Sequence, residues 1–187
     1  MSQYKGVSFI PLWIHGGSPV SKTENIEPTE NTANAETAIF RIQVPRHRRY
    51  YLMESPYFMK LYTKDGNELP EETIVRAHFV GQGSSPEDVL IGTIPYALHR
   101  RFSWDFQWGK GLEEKRTAHW PSLALALMPA SSMPSLRNRL AILGEGLRCF
   151  MLQPEEIIEF KVKASGVIDW SNANTRVHLW VHEELWE

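Results

Sequence analysis

The sequence is poor in cysteine, with Cys149 alone among 187 residues. A single cysteine cannot form an intrachain disulfide, which excludes the small disulfide-framework domains of secreted proteins. Long apolar runs are missing as well, since the run from Val7 to Ile14 is interrupted by Pro11 and is too short to span a bilayer. This segment also lacks a signal-peptide cleavage pattern. We therefore expect a protein made in the cytoplasm without Sec-type export, and no membrane contact.

An excess of positive charge is also absent. The chain has 20 Lys plus Arg against 22 Asp plus Glu, a net charge of −2. That balance argues against a protein that binds nucleic acid through bulk positive charge. The shares of hydrophobic residues (42%) and charged residues (22%) are those of an ordinary globular domain. Rings are abundant by contrast, with 7 Trp, 6 Tyr and 8 Phe, and they must be either buried or presented to a partner.

Helical periodicity is scarce, and an alternation of period two runs through most of the chain. Apolar and polar residues alternate at 40–44, 75–79, 158–164 and 177–181, as in half-buried strands. Asp65-Gly66 after a strand-like run predicts a tight turn. Apolar and polar residues also alternate at 102–108, whereas the run 123–127, with Leu at every second position and Ala between, could be a strand or a short helix. The pattern predicts an all-β protein of about ten strands, an antiparallel two-sheet β-sandwich of jelly-roll type.

The N-terminal part has its own composition. A polar stretch rich in Thr, Glu and Asn, from Gly16 to Thr37, predicts a long loop or linker. The apolar segment 7–14 before it has two interpretations: a strand of its own sheet, which loop-length statistics favour, or an extended arm that docks on a neighbouring subunit. We therefore divide the chain into an N-terminal strand or arm with polar linker (1–37) and a β-sandwich domain (38–187). If the arm docks, deletion of 1–37 should weaken assembly and leave the sandwich folded.

Motifs for catalysis are incomplete. His15-Gly16-Gly17-Ser18 is similar to the oxyanion segment of serine esterases, but no Gly-x-Ser-x-Gly follows it anywhere. The seven histidines include no His-Glu-x-x-His motif, and His178 and His182 are about 13 Å apart along a strand. No phosphate-binding glycine loop is present. We expect no catalytic residue, no metal site and no cofactor.

Two features are candidates for interaction. The first is the basic segment at 45–51, which contains Arg46, Arg48 and Arg49. Its shortness favours a protein contact or a solvated turn over nucleic acid. The second is a set of apolar and aromatic side chains that could anchor an interface, namely Phe9, Leu12, Trp13, Trp108, Trp180 and Trp186.

The C-terminal third resembles a known class. The run from Gln153 to Val162, followed by a turn and a closing strand that ends His182-Glu183-Glu184-Leu185, looks like the final hairpin of small β-sandwich virion proteins of bacteriophages. The segments 41–45 and 65–70 add to the likeness. The resemblance implies a non-enzymatic protein that decorates or cements a capsid, as a homo-oligomer such as a trimer bound to a major capsid protein on the virion surface.

Two other classes remain open. One is a carbohydrate-binding module that stacks sugars on Trp104, Trp108 or Trp180. The other is a jelly-roll enzyme of the cupin or epimerase kind, with His78, His119 or His178 in a barrel mouth. A shift of tryptophan fluorescence on adding oligosaccharide distinguishes the first, and metal analysis of the purified protein tests the metal-dependent form of the second.

Overall fold

The computed structural model describes residues 7–81, 89–95, 140–143 and 147–185. These residues form strands and connecting turns, and the described part of the chain has no helix. The strands are β1 (Val7–His15), β2 (Ser21–Lys22), β3 (Ile26–Pro28), β4 (Glu36–Gln43), β5 (Arg48–Lys60), β6 (Ile74–Gly81), β7 (Val89–Pro95), β8 (Leu140–Leu143), β9 (Leu147–Leu152), β10 (Ile157–Lys163) and β11 (Arg176–Leu185). Among the described residues, nothing helical has the length and apolar character needed to cross a membrane.

The strands form two antiparallel sheets. Sheet A has the order β2-β1-β11-β5-β9-β8, and sheet B has the order β3-β4-β10-β6-β7. When the short β2 and β3 and the outermost β8 are set aside, eight strands remain. Numbered along the chain, they give 1-8-3-6 in sheet A and 2-7-4-5 in sheet B. This order, in which the first strand pairs with the last and the second with the last but one, is the jelly roll. The predicted fold class is therefore confirmed.

The core lies between the sheets and is built by the alternation seen in the sequence. Val177, Leu179 and Val181 of β11 are fully buried, because every second residue of a strand points to the same face. Phe40 of β4 and Phe160 of β10 stack with their ring centroids 4.5 Å apart. The alternating runs at 102–108 and 123–127 lie outside the described residues.

Segment 7–14 is a strand of its own sheet. β1 pairs with β11 along its whole length, from Val7 opposite Glu184 to His15 opposite Arg176. Leu12 and Ile14 are buried in the core. The intramolecular interpretation is thus the one that the structure shows. Because deletion of 1–37 removes this strand with its core side chains, we now expect the deletion to destabilise the sandwich.

The polar stretch 16–37 follows the sandwich surface closely rather than leading away from it. It contains β2 and β3, and Ile26 of β3 is fully buried. Its side chains also replace backbone pairing: buried Asn31 donates to the carbonyl of Gly166 (3.2 Å) and accepts from the amide of Ile168 (2.8 Å). Trp170 Nε1 donates to the Thr29 carbonyl at 3.1 Å. These hydrogen bonds offset the entropy cost of ordering the stretch, which its few apolar side chains could not offset alone.

Three connections meet at one end of the sandwich: 16–35, 61–73 and 164–175. Lys64 donates its amide to the Val167 carbonyl at 2.9 Å, and Asp169 donates to the Tyr62 carbonyl at 2.8 Å. The predicted tight turn lies there, with Gly66 at φ 86°. Asp65 accepts hydrogen bonds from the Thr63 hydroxyl and the Asn67 amide, and these bonds hold the pKa of its carboxyl below the ordinary value. Hydrogen bonds therefore join these connections to one another at this end of the sandwich.

Candidate interaction surface

The outer side of sheet A carries two groups of contacting rings, which together we call the aromatic face. Because β1, β11 and β5 are neighbours, residues with the outward parity of these three strands come together. The members are Phe9, Trp13, His15, Phe58, His178, Trp180 and His182. Phe9 is 47% exposed and Phe58 is 37% exposed, which is unusual for side chains of this size.

The rings contact one another both across the strands and along β1. Phe9 stacks on Trp180 with centroids 4.9 Å apart and an interplanar angle of 15°, and it also meets His182 at 4.9 Å. The ring centroids of Trp13 and His15 are 4.3 Å apart. Phe58 meets His178 edge-on at 5.8 Å. Such contacts fix ring positions and stabilise each pair by about 0.5–1.5 kcal/mol beyond area burial.

His15 and His178 form the most direct polar contact on the aromatic face. Their Nε2 atoms are 2.9 Å apart, and their ring centroids are 4.9 Å apart. His15 lies opposite Arg176 in the β1–β11 register, so His178 is its diagonal neighbour, a relation within reach of ring side chains. Only one of the two Nε2 atoms can carry the shared proton, so one imidazole donates and the other accepts.

The surroundings of the histidines on this face lower their pKa values. Burial lowers the pKa of His178 below its ordinary value, and the charges of His15 and Arg176 lower it further. Burial, and then the charge of Arg176, lowers the pKa of His15. The pKa of His182 is also lowered by burial. Because desolvation penalises the charged form, these three histidines favour their neutral form.

Charged groups lie at both ends of the aromatic face. At the end where β5 begins, Tyr51 donates its hydroxyl to Glu184 Oε2 at 2.5 Å, and Arg49 lies 3.7 Å from the same oxygen. Burial raises the pKa of the Tyr51 phenol, as does its bond to Glu184. Arg176 and Lys60 face each other in the register at the other end. Rings thus occupy the centre of the face, and charged groups lie at its two ends.

The apolar and aromatic residues predicted for interaction fall into three groups. Phe9, Trp13 and Trp180 are brought together on the aromatic face. Leu12 is not on this face, because it is 2% exposed and belongs to the core. Trp108 and Trp186 lie outside the described residues, as do Trp104 and His119.

The three arginines of the basic segment lie near carboxylates. Arg46 is 3.6 Å from Glu155, Arg48 is 3.4 Å from Glu183, and Arg49 is 3.7 Å from Glu184. Each positive charge is therefore compensated locally. This arrangement leaves little net potential to attract a nucleic-acid backbone.

The His15-Gly16-Gly17 segment has its backbone amides engaged. Gly16 donates to the Thr175 carbonyl at 2.7 Å, and Gly17 donates to the Trp170 carbonyl at 3.0 Å. An oxyanion site needs such donors free to face a substrate oxygen. A Cβ on Gly16 would lie 2.1 Å from the Asn172 carbonyl oxygen, so glycine is required here for the close approach of two loops.

Two of the three histidines named for a barrel-mouth site, His78 and His178, lie on opposite sides of the sandwich. His178 is on the outer side of sheet A, whereas His78 is on the outer side of sheet B, 3.3 Å from Glu36. Within the ranges that the structure describes, no three His, Cys, Asp or Glu side chains converge to hold a metal ion.

Sequence reasoning missed most of the aromatic face. His15, Phe58, His178 and His182 were not among the predicted interaction residues. The parity of each strand was visible in the alternation, but the pairing of β1 with β11 and of β11 with β5 was not. The signal that could have found the face is the jelly-roll order itself, because that order makes the first and last strands neighbours.

Comparison with models of protein families and with curated proteins finds no match to this chain.

Proposed function

We propose that the protein is a non-enzymatic structural component of a bacteriophage virion. In this proposal it associates with copies of itself through the aromatic face and decorates or cements the capsid by bridging neighbouring subunits. The partners are a second copy of this chain and the major capsid protein.

The aromatic face is the observation that carries the proposal. Protein interfaces place aromatic side chains at a desolvated centre and charged groups at the rim, which is the distribution found here. The exposed rings of Phe9 and Phe58 flank the central strand β11. Because less than half of each side chain is exposed, burial of the remaining surface against a partner gains about 1 kcal/mol each.

The sandwich interior supports a structural role over an enzymatic one. Apolar side chains from both sheets fill the described interior, among them Phe40, Phe150 and Phe160. The buried polar side chains in the described part are Asn31, Thr63, Glu156 and Thr175, all in turns between strands. Jelly rolls recur in viral capsid proteins, lectins and cupins, and a filled interior agrees with the first two of these classes.

Light scattering on a sizing column tests the self-association step. We expect a discrete oligomer for the wild-type protein. The double variant Phe9→Ser/Phe58→Ser should be monomeric with an unchanged circular dichroism spectrum. The matched control, Arg41→Ser/Gln43→Ser, alters exposed residues of sheet B and should retain the oligomer. A wild-type protein that is a monomer at about 100 µM would refute self-association.

Co-sedimentation with capsid shells tests the virion step. Shells are assembled from the major capsid protein encoded in the same genome and mixed with each variant. The wild type and the sheet B control should pellet with the shells, and the Phe9→Ser/Phe58→Ser variant should stay in the supernatant. Equal sedimentation of all three would show that the aromatic face is not the contact, and no sedimentation of any would refute capsid binding.

A carbohydrate-binding function is the second candidate. Trp13 and Trp180 lie on adjacent strands of the same face, as in a sugar-stacking platform. One side of the Trp180 ring is already covered by Phe9, which favours the protein interface. Tryptophan fluorescence across a panel of oligosaccharides distinguishes the two, because only a sugar platform gives a saturable shift that Trp13→Ala removes.

A further inference from the structure

We propose that His15 and His178 form a binding site for a divalent transition-metal ion, such as Cu²⁺, Ni²⁺ or Zn²⁺, on the outer side of sheet A. The two Nε2 atoms, 2.9 Å apart on adjacent strands, are its ligands. The site is independent of whether the protein binds a capsid.

The distance between the nitrogens suits a shared metal ion. With metal–nitrogen bonds of about 2.0–2.1 Å, two ligands separated by this distance subtend about 90° at the metal. That is the angle between neighbouring ligands in square-planar and octahedral coordination, which Cu²⁺ and Ni²⁺ adopt. A tetrahedral Zn²⁺ needs the nitrogens about 3.3 Å apart, an opening of a few tenths of an ångström.

The surrounding side chains hold both rings in place. Trp13 packs on His15 at 4.3 Å, and Phe58 meets His178 edge-on at 5.8 Å. Both histidines belong to regular strands in a fixed antiparallel register. A site whose ligands are already positioned loses less side-chain entropy on binding.

Coordination needs a tautomer shift and no net loss of a proton. In the metal-free pair, one imidazole has its proton on Nε2 and donates it to the other Nε2. When the metal takes both Nε2 lone pairs, that proton moves to Nδ1 of its own ring. No third histidine, cysteine or carboxylate converges on this pair among the described residues, so water would fill the remaining coordination positions.

Calorimetric titration of the chelator-treated, untagged full-length protein with Cu²⁺, Ni²⁺ and Zn²⁺ tests the site. We expect one equivalent to bind, with Cu²⁺ tightest as the Irving–Williams order requires. His15→Phe and His178→Phe should each weaken binding by at least about tenfold, since even loss of an outer partner of a ligand costs about 10–100-fold. His182→Phe, the same change elsewhere on the aromatic face, should bind as the wild type does.

A second measurement on the unaltered protein guards against variants that fold poorly. Long-range proton–nitrogen spectra of the imidazoles should show mixed tautomers before metal is added. Substoichiometric Cu²⁺ should selectively broaden the signals of His15 and His178. The proposal is overturned if no ion binds, if the histidine variants bind as the wild type does, or if broadening first reaches other histidines.

Discussion

On the outer side of sheet B charged side chains face one another across the strands, whereas on the outer side of sheet A rings do. In sheet B, Glu159 lies between Arg41 and His78 in the register, and Glu36 is 3.3 Å from Arg76. In sheet A the outward-facing positions of β1, β11 and β5 hold Phe9, Trp180 and Phe58. The same period-two alternation over one core produces both outer sides. The alternation therefore predicts which side chains point outward, but it does not predict the function of either outer side.

Removal of β1 is expected to have the largest effect on this comparison. Deletion of residues 1–15 takes Leu12 and Ile14 out of the core and leaves β11 unpaired on one side. Loss of each large apolar side chain costs about 2–5 kcal/mol, which together is comparable with the stability of a whole domain. We expect the truncated protein to show no cooperative thermal transition, because both sheets should unfold together. A truncated protein that melts like the full chain would show that sheet B folds independently.

The loop contact at the end of β1 should be the next most sensitive. In Gly16→Ala, the new Cβ meets the Asn172 carbonyl oxygen at 2.1 Å, so the backbone must move. We expect a loss of at least about 2 kcal/mol of unfolding free energy in urea denaturation. Gly66→Ala is the matched control: nothing lies within 4 Å of its Cβ, and only the positive φ of 86° is strained. It should cost about 1 kcal/mol, and an equal cost for both variants would contradict the steric argument.

The pH dependence should distinguish the two outer sides. The folded-state pKa values of His178 and His182 lie below the ordinary 6.5, so the unfolded chain binds more protons in this range. The contribution of these two histidines to the free energy of unfolding is therefore full above about pH 7.5 and is lost as the pH falls below 6.5. In chelator-containing buffer, His178→Phe/His182→Phe should flatten the decline of the urea midpoint, and the sheet B variant Gln43→Ser should not. An unchanged slope in the double variant would refute this assignment.

The smallest effect is expected on sheet B. Arg76→Gln breaks a partly exposed contact with Glu36, 3.3 Å long, and such ion pairs contribute about 0.2–1 kcal/mol. The measured loss should lie in that range at low salt and shrink at 1 M salt, where screening is strong. A loss above about 2 kcal/mol would mean that sheet B is held together by its charges more than its core.

The sandwich itself could be predicted because its signal is local. At 158–164 and 177–181, each strand reports its own parity through neighbouring residues, and Asp65-Gly66 reports its own turn. The stretch 16–37 could not be assigned in the same way. Its ordering depends on Asn31 reaching Gly166 and Ile168, and on Gly16 meeting Thr175, contacts that join positions more than a hundred residues apart.

The candidate site was only partly predictable for the same reason. Phe9, Trp13 and Trp180 were identified by residue type and parity, but Leu12 was included with them although its parity places it in the core. The His15–His178 contact spans 163 positions in the chain. No spacing rule within a single strand could have found it.

By itself, the sequence determined the class of fold, the parity of the strands and the absence of a disulfide, because these follow from residue type and short-range alternation. The tertiary structure alone decided that the first strand lies against the last, in a register that sets His15 diagonally to His178. That decision depends on strand order and register. Both are set by how the two sheets together bury one core, a property of the whole chain and of no single segment.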